Sequence, residues 1–519
     1  MNYSTDYIDK SGFLTFFHNK ALILLFLNQN LYFKTTAMKF RILFLVLLMA
    51  TLTYTAYPQI SLPAVIADSM VLQRNASATI WGWASPGEEI TVRAGWTLEK
   101  LETSADKNGE WSVNIPTTIA GGPYNIYIKG SNEIVVKDIL LGDIWICSGQ
   151  SNMEYRINQM GGWSNPQFEL DSIDIEKRKY PLLRLFQLEK NASDTPLSDF
   201  EGRWMTVNTE TVADFSAVAF YFGRELNRRI GVPVGLVSTN WGGTPAEAWT
   251  SRESLENNDE LKYYTERDYS GEQEQRKPSY LYNAMIHPII KMAITGVIWY
   301  QGEANRYDAL HYRKLFPAMI RDWRKQFNQG DFPFYYVQIA PYNYDEPMVG
   351  ALVREAQLMA LEVPGTGMVV TTDIGNPDNI HPVMKQEVGR RLARNALALH
   401  YGVERLTYSG PVFKRMELED YNGVKRVRLF FSHIARGLES TEGDPRCFEI
   451  AGDDRVFYEA QAAIEGANVV VWSEKVSKPV AVRFGFNNKA EPNLYNSEGL
   501  PASPFRTDDW EVDTGIISK

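Results

Sequence analysis

Ile139-Leu140-Leu141-Gly142-Asp143-Ile144-Trp145-Ile146-Cys147, with Gly149-Gln150-Ser151-Asn152-Met153 one residue further on, is the stretch that decides what this chain folds into. The first part is an apolar run of strand length, predicted to be buried, and the second is a polar turn at its exit. A serine at a strand exit, among small and amide-bearing residues, suits a nucleophile whose own backbone N–H faces an oxyanion. Taken alone, the pentapeptide is better read as an ordinary glycine-serine turn. A second stretch, Asp378-Asn379-Ile380-His381-Pro382, and two glycine- and amide-bearing loops lying between the two favour chemistry.

Outward from that strand, apolar runs of strand length alternate with helical ones. Val234 to Val237, Gly296 to Tyr300, Phe334 to Ile339 and Met368 to Thr371 read as strands. Phe215 to Arg229, Asp308 to Phe327, Gly350 to Leu361 and Met384 to Tyr401 read as helices, with Pro317 kinking the second or starting it. This alternation predicts an α/β domain over 139–404, a parallel sheet wrapped by helices with its site at the carboxyl ends of the strands. Glu154 to Phe200 has little periodicity and reads as a long insertion near the serine. Residues 59–138 carry short alternating runs around Trp111, Val113 and Ile115 and around Ile126 and Ile128. Turn signals at Ser85-Pro86-Gly87 and Asn108-Gly109 predict a small β-sandwich there. The alternation returns in 405–519, at Val427, Leu429 and Phe431 and at Val469 and Val471, predicting a second β module.

Histidine is scarce enough to be decided one by one. His18, His311, His400 and His433 lie in places that suit tails, solvated faces, helix ends or the terminal module, and His287 has apolar neighbours that suit a core role. His381 stands at the carboxyl edge of the sheet, after a loop holding Asp373, Asn376 and Asp378. A carboxylate three residues earlier can accept the Nδ1 proton and leave Nε2 free to take a serine proton; a helix N-cap loop would carry the same residue types. Asn240-Trp241-Gly242-Gly243-Thr244 follows one strand, and glycine there lets a backbone N–H approach an oxyanion. Gln301-Gly302-Glu303-Ala304-Asn305 follows another and offers side-chain amides.

With 519 residues, 44% hydrophobic and 22% charged, the chain has ample core for two to four domains. A net charge of -10 argues against nucleic acid or an anionic membrane as the main partner. Cys147 and Cys447 form no disulfide framework, and there is no His-Glu-x-x-His run and no Gly-x-Ser-x-Gly elbow. Met38-Lys39-Phe40-Arg41 followed by Ile42 to Ala50 has the form of an export signal, cleaved between about Ala50 and Gln59. Residues 1–37 then form an upstream extension, the true start being Met38. The mature protein is expected to be exported, periplasmic or extracellular, without a membrane span.

Gly149-Gln150-Ser151-Asn152-Met153, Trp299-Tyr300-Gln301-Gly302-Glu303 and Asp378-x-x-His381 together resemble the sialate O-acetylesterase family, a carbohydrate-esterase branch of the SGNH (GDSL-like) hydrolases. Met70-Val71-Leu72-Gln73-Arg74, Gly142-Asp143-Ile144-Trp145, Asn493-Leu494-Tyr495-Asn496 and Gly499-Leu500-Pro501 extend the likeness to nearly the whole mature chain. The resemblance implies a flavodoxin-like three-layer domain flanked by β modules, with no metal or cofactor, acting on an O-acetylated carbohydrate. It implies Ser151 as nucleophile, His381 as base and then acid, and Asp378 as its orienting partner. The oxyanion hole would take N–H groups of Ser151 and of Gly243 or Gly242. The Gly-x-Asn-Asp block of SGNH enzymes is missing, leaving Gln301 or Asn305 to complete the hole, with Gln301 preferred for its place at the strand end. Trp163, Trp241, Trp249 and Glu303 are candidates for the sugar approach. Expected substrates are O-acetylated sialic acid or, alternatively, acetylated xylan or pectin. A non-catalytic glycan-binding protein is the rival from another class.

Overall fold

Neighbouring residues of the long strand Glu133–Gly149 serve opposite layers. The structure, a computed structural model, describes residues 59–159 and 166–515, the first four of the second range by backbone only. Ile144 and Ile146 enter one apolar cluster, Trp145 and Cys147 the other. Val297 and Trp299 likewise oppose Ile298 and Tyr300, and Phe334 and Tyr336 oppose Tyr335 and Val337. This is the period-two pattern of strands buried on both faces. The first cluster takes in Tyr312, Phe316, Ile320 and Trp323 of the helix Ala309–Phe327 and Val353 and Ala356 of Val349–Met359. The second takes in Val218, Phe222 and Leu226 of Ala217–Ile230 and Val388 and Leu392 of Lys385–Asn395. Three layers result.

The helix Ala217–Ile230 shows why the boundaries fall where they do. Ser216 caps its start by accepting the N–H of Ala219 at 3.2 Å, and Gly231 ends it in the left-handed region. Pro317 lies inside the continuous helix Ala309–Phe327 and does not start it.

In order of appearance, the strands Glu133–Gly149, Val234–Asn240, Gly296–Tyr300, Phe334–Val337 and Thr366–Val369 lie side by side as 2-1-3-4-5, all parallel. That is the flavodoxin-like order, whose ligand crevice opens beyond the carboxyl ends at the switch point between strands one and three. Leu183–Leu188 and Gly202–Thr206 extend the sheet beyond strand two, the last running antiparallel. Leu183–Leu188 and the helix Pro166–Arg178 give regular structure to part of Glu154 to Phe200, the segment expected to be an irregular insertion.

The expected boundary at 138/139 falls within one unbroken strand. The first part of Glu133–Gly149 pairs with Gly121–Lys129, which pairs with Glu89–Ala94, while Ser77–Trp83 and Glu110–Pro116 form a separate pair. After the last helix, antiparallel sheets built on Val424–Ser432 and Phe448–Ala451 enclose Val427, Leu429, Ile450, Val471, Val482 and Phe505. Buried Arg354, on the helix Val349–Met359, ties this region to the α/β domain through the carbonyl of Asn487. The segment expected to be an export signal and Trp163 lie outside the described residues.

Candidate active site

Gly149 carries the turn that presents the serine. Its φ of +141° is closed to most side chains, and a Cβ there would stand 2.2 Å from the Tyr300 carbonyl oxygen. The turn is fastened on both sides: Trp241 N–H donates to the Gly149 carbonyl at 3.1 Å and Gln150 N–H to the Tyr300 carbonyl at 3.0 Å. The Gln150 Oε1 accepts from the N–H groups of Gly302 and Ala304 at 3.3 and 3.2 Å. Ser151 then opens the short helix Ser151–Glu154, where its N–H has no intrahelical acceptor.

His381 arrives from the far end of the sheet, 230 residues away in the chain. Its Nε2 lies 2.9 Å from Ser151 Oγ. The loop that brings it is stiffened by its own asparagines, Asn376 Oδ1 accepting the N–H of Asp378 and Asn379 Oδ1 that of His381, each at 2.9 Å. Tyr155 lies roughly parallel to the imidazole, ring centres 6.1 Å apart. Burial, then the charge of Lys385, holds this histidine below its ordinary value of 6.5. A neutral imidazole in contact with a hydroxyl is equipped to take its proton.

The other expected site residues fall into distinct settings. Asp378 is exposed and its carboxylate makes no hydrogen bond among the described residues, so nothing joins it to the imidazole here. Gln301 and Asn305 are buried and hydrogen-bonded to their neighbours. Gln301 Nε2 donates to Asn305 Oδ1 at 2.6 Å and to the Thr244 carbonyl at 3.3 Å, and Gln301 Oε1 accepts from Tyr312 Oη at 3.1 Å. Asn305 Nδ2 donates to Glu247 at 2.8 Å, while its Oδ1 also accepts the Ala246 N–H at 2.9 Å. Gln301 has both amide hydrogens committed and none left for an oxyanion, while Asn305 has one committed to Glu247 and is buried beside Gln301. Gly242 is close to the nucleophile, since a Cβ on it would be 3.3 Å from Ser151 Cβ. Its N–H donates to Glu154 Oε2 at 2.7 Å, and Lys190 holds the other oxygen of that carboxylate at 2.6 Å. Gly243 is exposed with φ +76°. Trp241 is half-buried, with Lys190 Nζ 5.5 Å from its ring centre. Trp249 is wholly buried, its Nε1 bonded to Thr244 Oγ1 at 2.9 Å and its ring edge-on to Trp299, so it belongs to the core and not to the approach. Glu303 is 3% exposed and accepts from Asn152 Nδ2 at 2.7 Å, which removes it from contact with a sugar outside.

Asn152 and Lys385 are polar members of the site that residue-by-residue reading missed. Lys385 Nζ is fully buried and donates to Asn152 Oδ1 at 2.5 Å. One signal was available: Lys385 is in phase with Val388 and Leu392 on the apolar face of its helix, where a lysine needs a reason. His287 is half-buried and holds a structural contact, with Nδ1 2.8 Å from the Leu197 carbonyl. Among the described residues, no group of three histidines, cysteines or carboxylates is placed to hold a metal ion.

A family model described as carbohydrate esterase, sialic acid-specific acetylesterase, matches residues 141–398, from the central strand to the end of the last helix. The human sialate O-acetylesterase is 32% identical over 489 residues, covering 85% of this chain and 91% of that protein. The Pongo abelii sialate O-acetylesterase is 31% identical with the same coverage. Among solved structures, a carbohydrate acetylesterase from Xanthomonas citri superposes with a TM-score of 0.78 at 39% identity, covering 87% of this chain and all of that one. This chain therefore belongs to the sialate O-acetylesterase family and is a carbohydrate-ester hydrolase.

Proposed function

We propose that this protein is an exported serine esterase that removes O-acetyl groups from carbohydrate, with O-acetylated sialic acid as the substrate class. The observation that carries the chemistry is the 2.9 Å contact between His381 Nε2 and Ser151 Oγ at the switch point of the sheet. His381 takes the hydroxyl proton as Ser151 attacks the acetyl carbonyl. The N–H of Ser151 and the Gly242–Gly243 turn face the developing oxyanion, once Glu154 releases Gly242. The sugar alcohol leaves with the proton from His381, and water then frees acetate from the acetyl-serine by the reverse transfer.

The sialic acid assignment rests on what the family model and the curated relatives are named for. Export rests on the charged and apolar pattern of residues 38–50. The deciding experiment measures acetate release from O-acetylated sialosides, acetylated xylan and acetylated pectin. Wild type should act on the sialosides, and Ser151→Ala should lose about 10⁴–10⁶ in turnover. Activity confined to the plant glycans would overturn the substrate while leaving the reaction in place. Equal activity of Ser151→Ala on every substrate would overturn the reaction.

A further inference from the structure

Beneath the Ser151–His381 pair, three polar side chains from the first turns of three separate helical segments form a buried chain. Lys385 Nζ donates to Asn152 Oδ1 at 2.5 Å, and Asn152 Nδ2 donates to Glu303 Oε1 at 2.7 Å and to the Ile380 carbonyl at 3.1 Å. Lys385 and Asn152 are fully buried, Glu303 is 3% exposed, and Glu303 Oε2 has no hydrogen-bond partner. Stability alone is a poor reason for such a group, because a buried ion pair is generally no better than apolar residues of the same volume. Position supplies a better one. Asn152 directly follows the nucleophile, and Ile380 directly precedes the base. An ammonium can only donate, so Lys385 fixes which way the Asn152 amide points and aims its NH₂ at Glu303 and Ile380.

We propose that Glu303, Asn152 and Lys385 are positioning residues for the Ser151–His381 pair: Asn152 holds the histidine loop by the Ile380 carbonyl, and the Glu303 carboxylate offsets the imidazolium that forms during the reaction. The inference rests on the esterase reading of Ser151 and His381. It fills the place that Asp378, exposed and without a hydrogen-bonded partner, leaves open. No bond is made or broken within the chain of three; the one proton that moves is the serine's, to His381 Nε2 and onward to the leaving alcohol.

The charges around the imidazole fix the expected signs. From the helix that follows its loop it faces Lys385, from the nucleophile turn Ser151 and the Tyr155 ring, and behind Asn152 the carboxylate of Glu303. Arg306 and Tyr344 lie beside Glu303, and the Tyr300 ring lies 5.4 Å from Lys385 Nζ. Burial pushes Lys385 down to about 7, against the pull of Glu303, so it is largely charged where His381 titrates. Burial holds the Glu303 carboxyl above its ordinary 4.5, against the pull of Asn152, Lys385 and Arg306; in its ionised form it would favour the imidazolium that Lys385 opposes, so removing each should move His381 in opposite directions.

The test uses the whole protein with ring-labelled histidine, following the His381 resonance (identified by its loss in His381→Gln) across pH by NMR. The acidic limb of kcat/KM for 4-nitrophenyl acetate is read in parallel. In Glu303→Gln, which keeps the shape and one acceptor, His381 should titrate at lower pH. In Lys385→Met it should titrate at higher pH, and in the double variant it should return toward wild type. In both single variants kcat should fall at least about tenfold with KM little changed, on the scale of a general-base contribution. A titration that stays at the wild-type position, or moves the same way in both variants, overturns the proposal. If Glu303→Gln does not fold, Lys385→Met decides alone: no shift, or a downward one, overturns it. Because the titrations are read on the resting protein, they succeed or fail separately from a wild type inactive on every acetate ester, which would sink the esterase reading.

Discussion

Replacing Gly149 by alanine perturbs the turn on which the nucleophile stands, and its size can be worked from the backbone. At φ +141° an L side chain costs about 1–3 kcal/mol of backbone strain. The added Cβ would also stand 2.2 Å from the Tyr300 carbonyl oxygen, roughly 1 Å short of ordinary contact. Tyr300 cannot yield easily, since its carbonyl holds Gln150 N–H at 3.0 Å at the end of a central strand. The turn must therefore move, and Ser151 two residues on moves with it. A shift of about 1 Å takes the 2.9 Å contact with His381 beyond hydrogen-bonding reach. Misplacement on that scale costs about 10²-fold in rate. The assay is kcat for 4-nitrophenyl acetate alongside thermal unfolding, with Gly466→Ala as the comparison, a position of φ +64° with open space around it in a hairpin of the terminal β region. Gly149→Ala should lose about two orders of magnitude in kcat and melt lower, whereas Gly466→Ala should melt lower from backbone strain and keep its kcat. A folded Gly149→Ala enzyme with wild-type kcat would refute the reasoning.

Asp378→Asn should cost less than about tenfold in kcat/KM, because its carboxylate holds no hydrogen bond in this structure; a loss near 10⁴, the scale of a true orienting carboxylate, would show the reverse. The acidic limb of kcat/KM should have its midpoint below pH 6.5. Activity needs neutral His381, and burial plus Lys385 disfavour its charged form, so activity rises with pH through a lowered value; a midpoint above 6.5 in stopped-assay profiles contradicts this. Gln301→Ala should act mainly through stability. It strips Asn305, Thr244 and Tyr312 of a buried partner at about 1–3 kcal/mol per group left unpaired, visible as a lower unfolding temperature, and Gln301→Glu should not rescue it.

The strand ends were legible in the sequence because each carries a strong local pattern: an apolar run, then glycine and amide residues. Ser151, Gly242, Gln301 and His381 were all placed at the correct rim from that alone. The pair Leu183–Leu188 and Gly202–Thr206 was not, since a short buried strand within a polar segment gives no periodicity to distinguish it from a loop. Partner choice was the harder part. Gln301 and Asn305 carry the right groups for an oxyanion, but tertiary packing turns their donors inward to Thr244 and Glu247. Asp378 has the spacing to reach His381, and the Asn376 and Asn379 turns hold it outward instead. Lys385 showed only as a charge in phase with an apolar stripe; that it meets Asn152 depends on two segments 233 residues apart in the chain.

Whether Ser151 is a nucleophile activated by His381 is most directly measured by covalent trapping. The intact protein is treated with 4-nitrophenyl diethyl phosphate, and the modified peptide is mapped by mass spectrometry. A single diethylphosphoryl group should appear on Ser151 in wild type, form much more slowly in His381→Gln, and be absent in Ser151→Ala. Labelling of a different residue, or labelling of Ser151 at the same rate with and without the imidazole, would contradict the account.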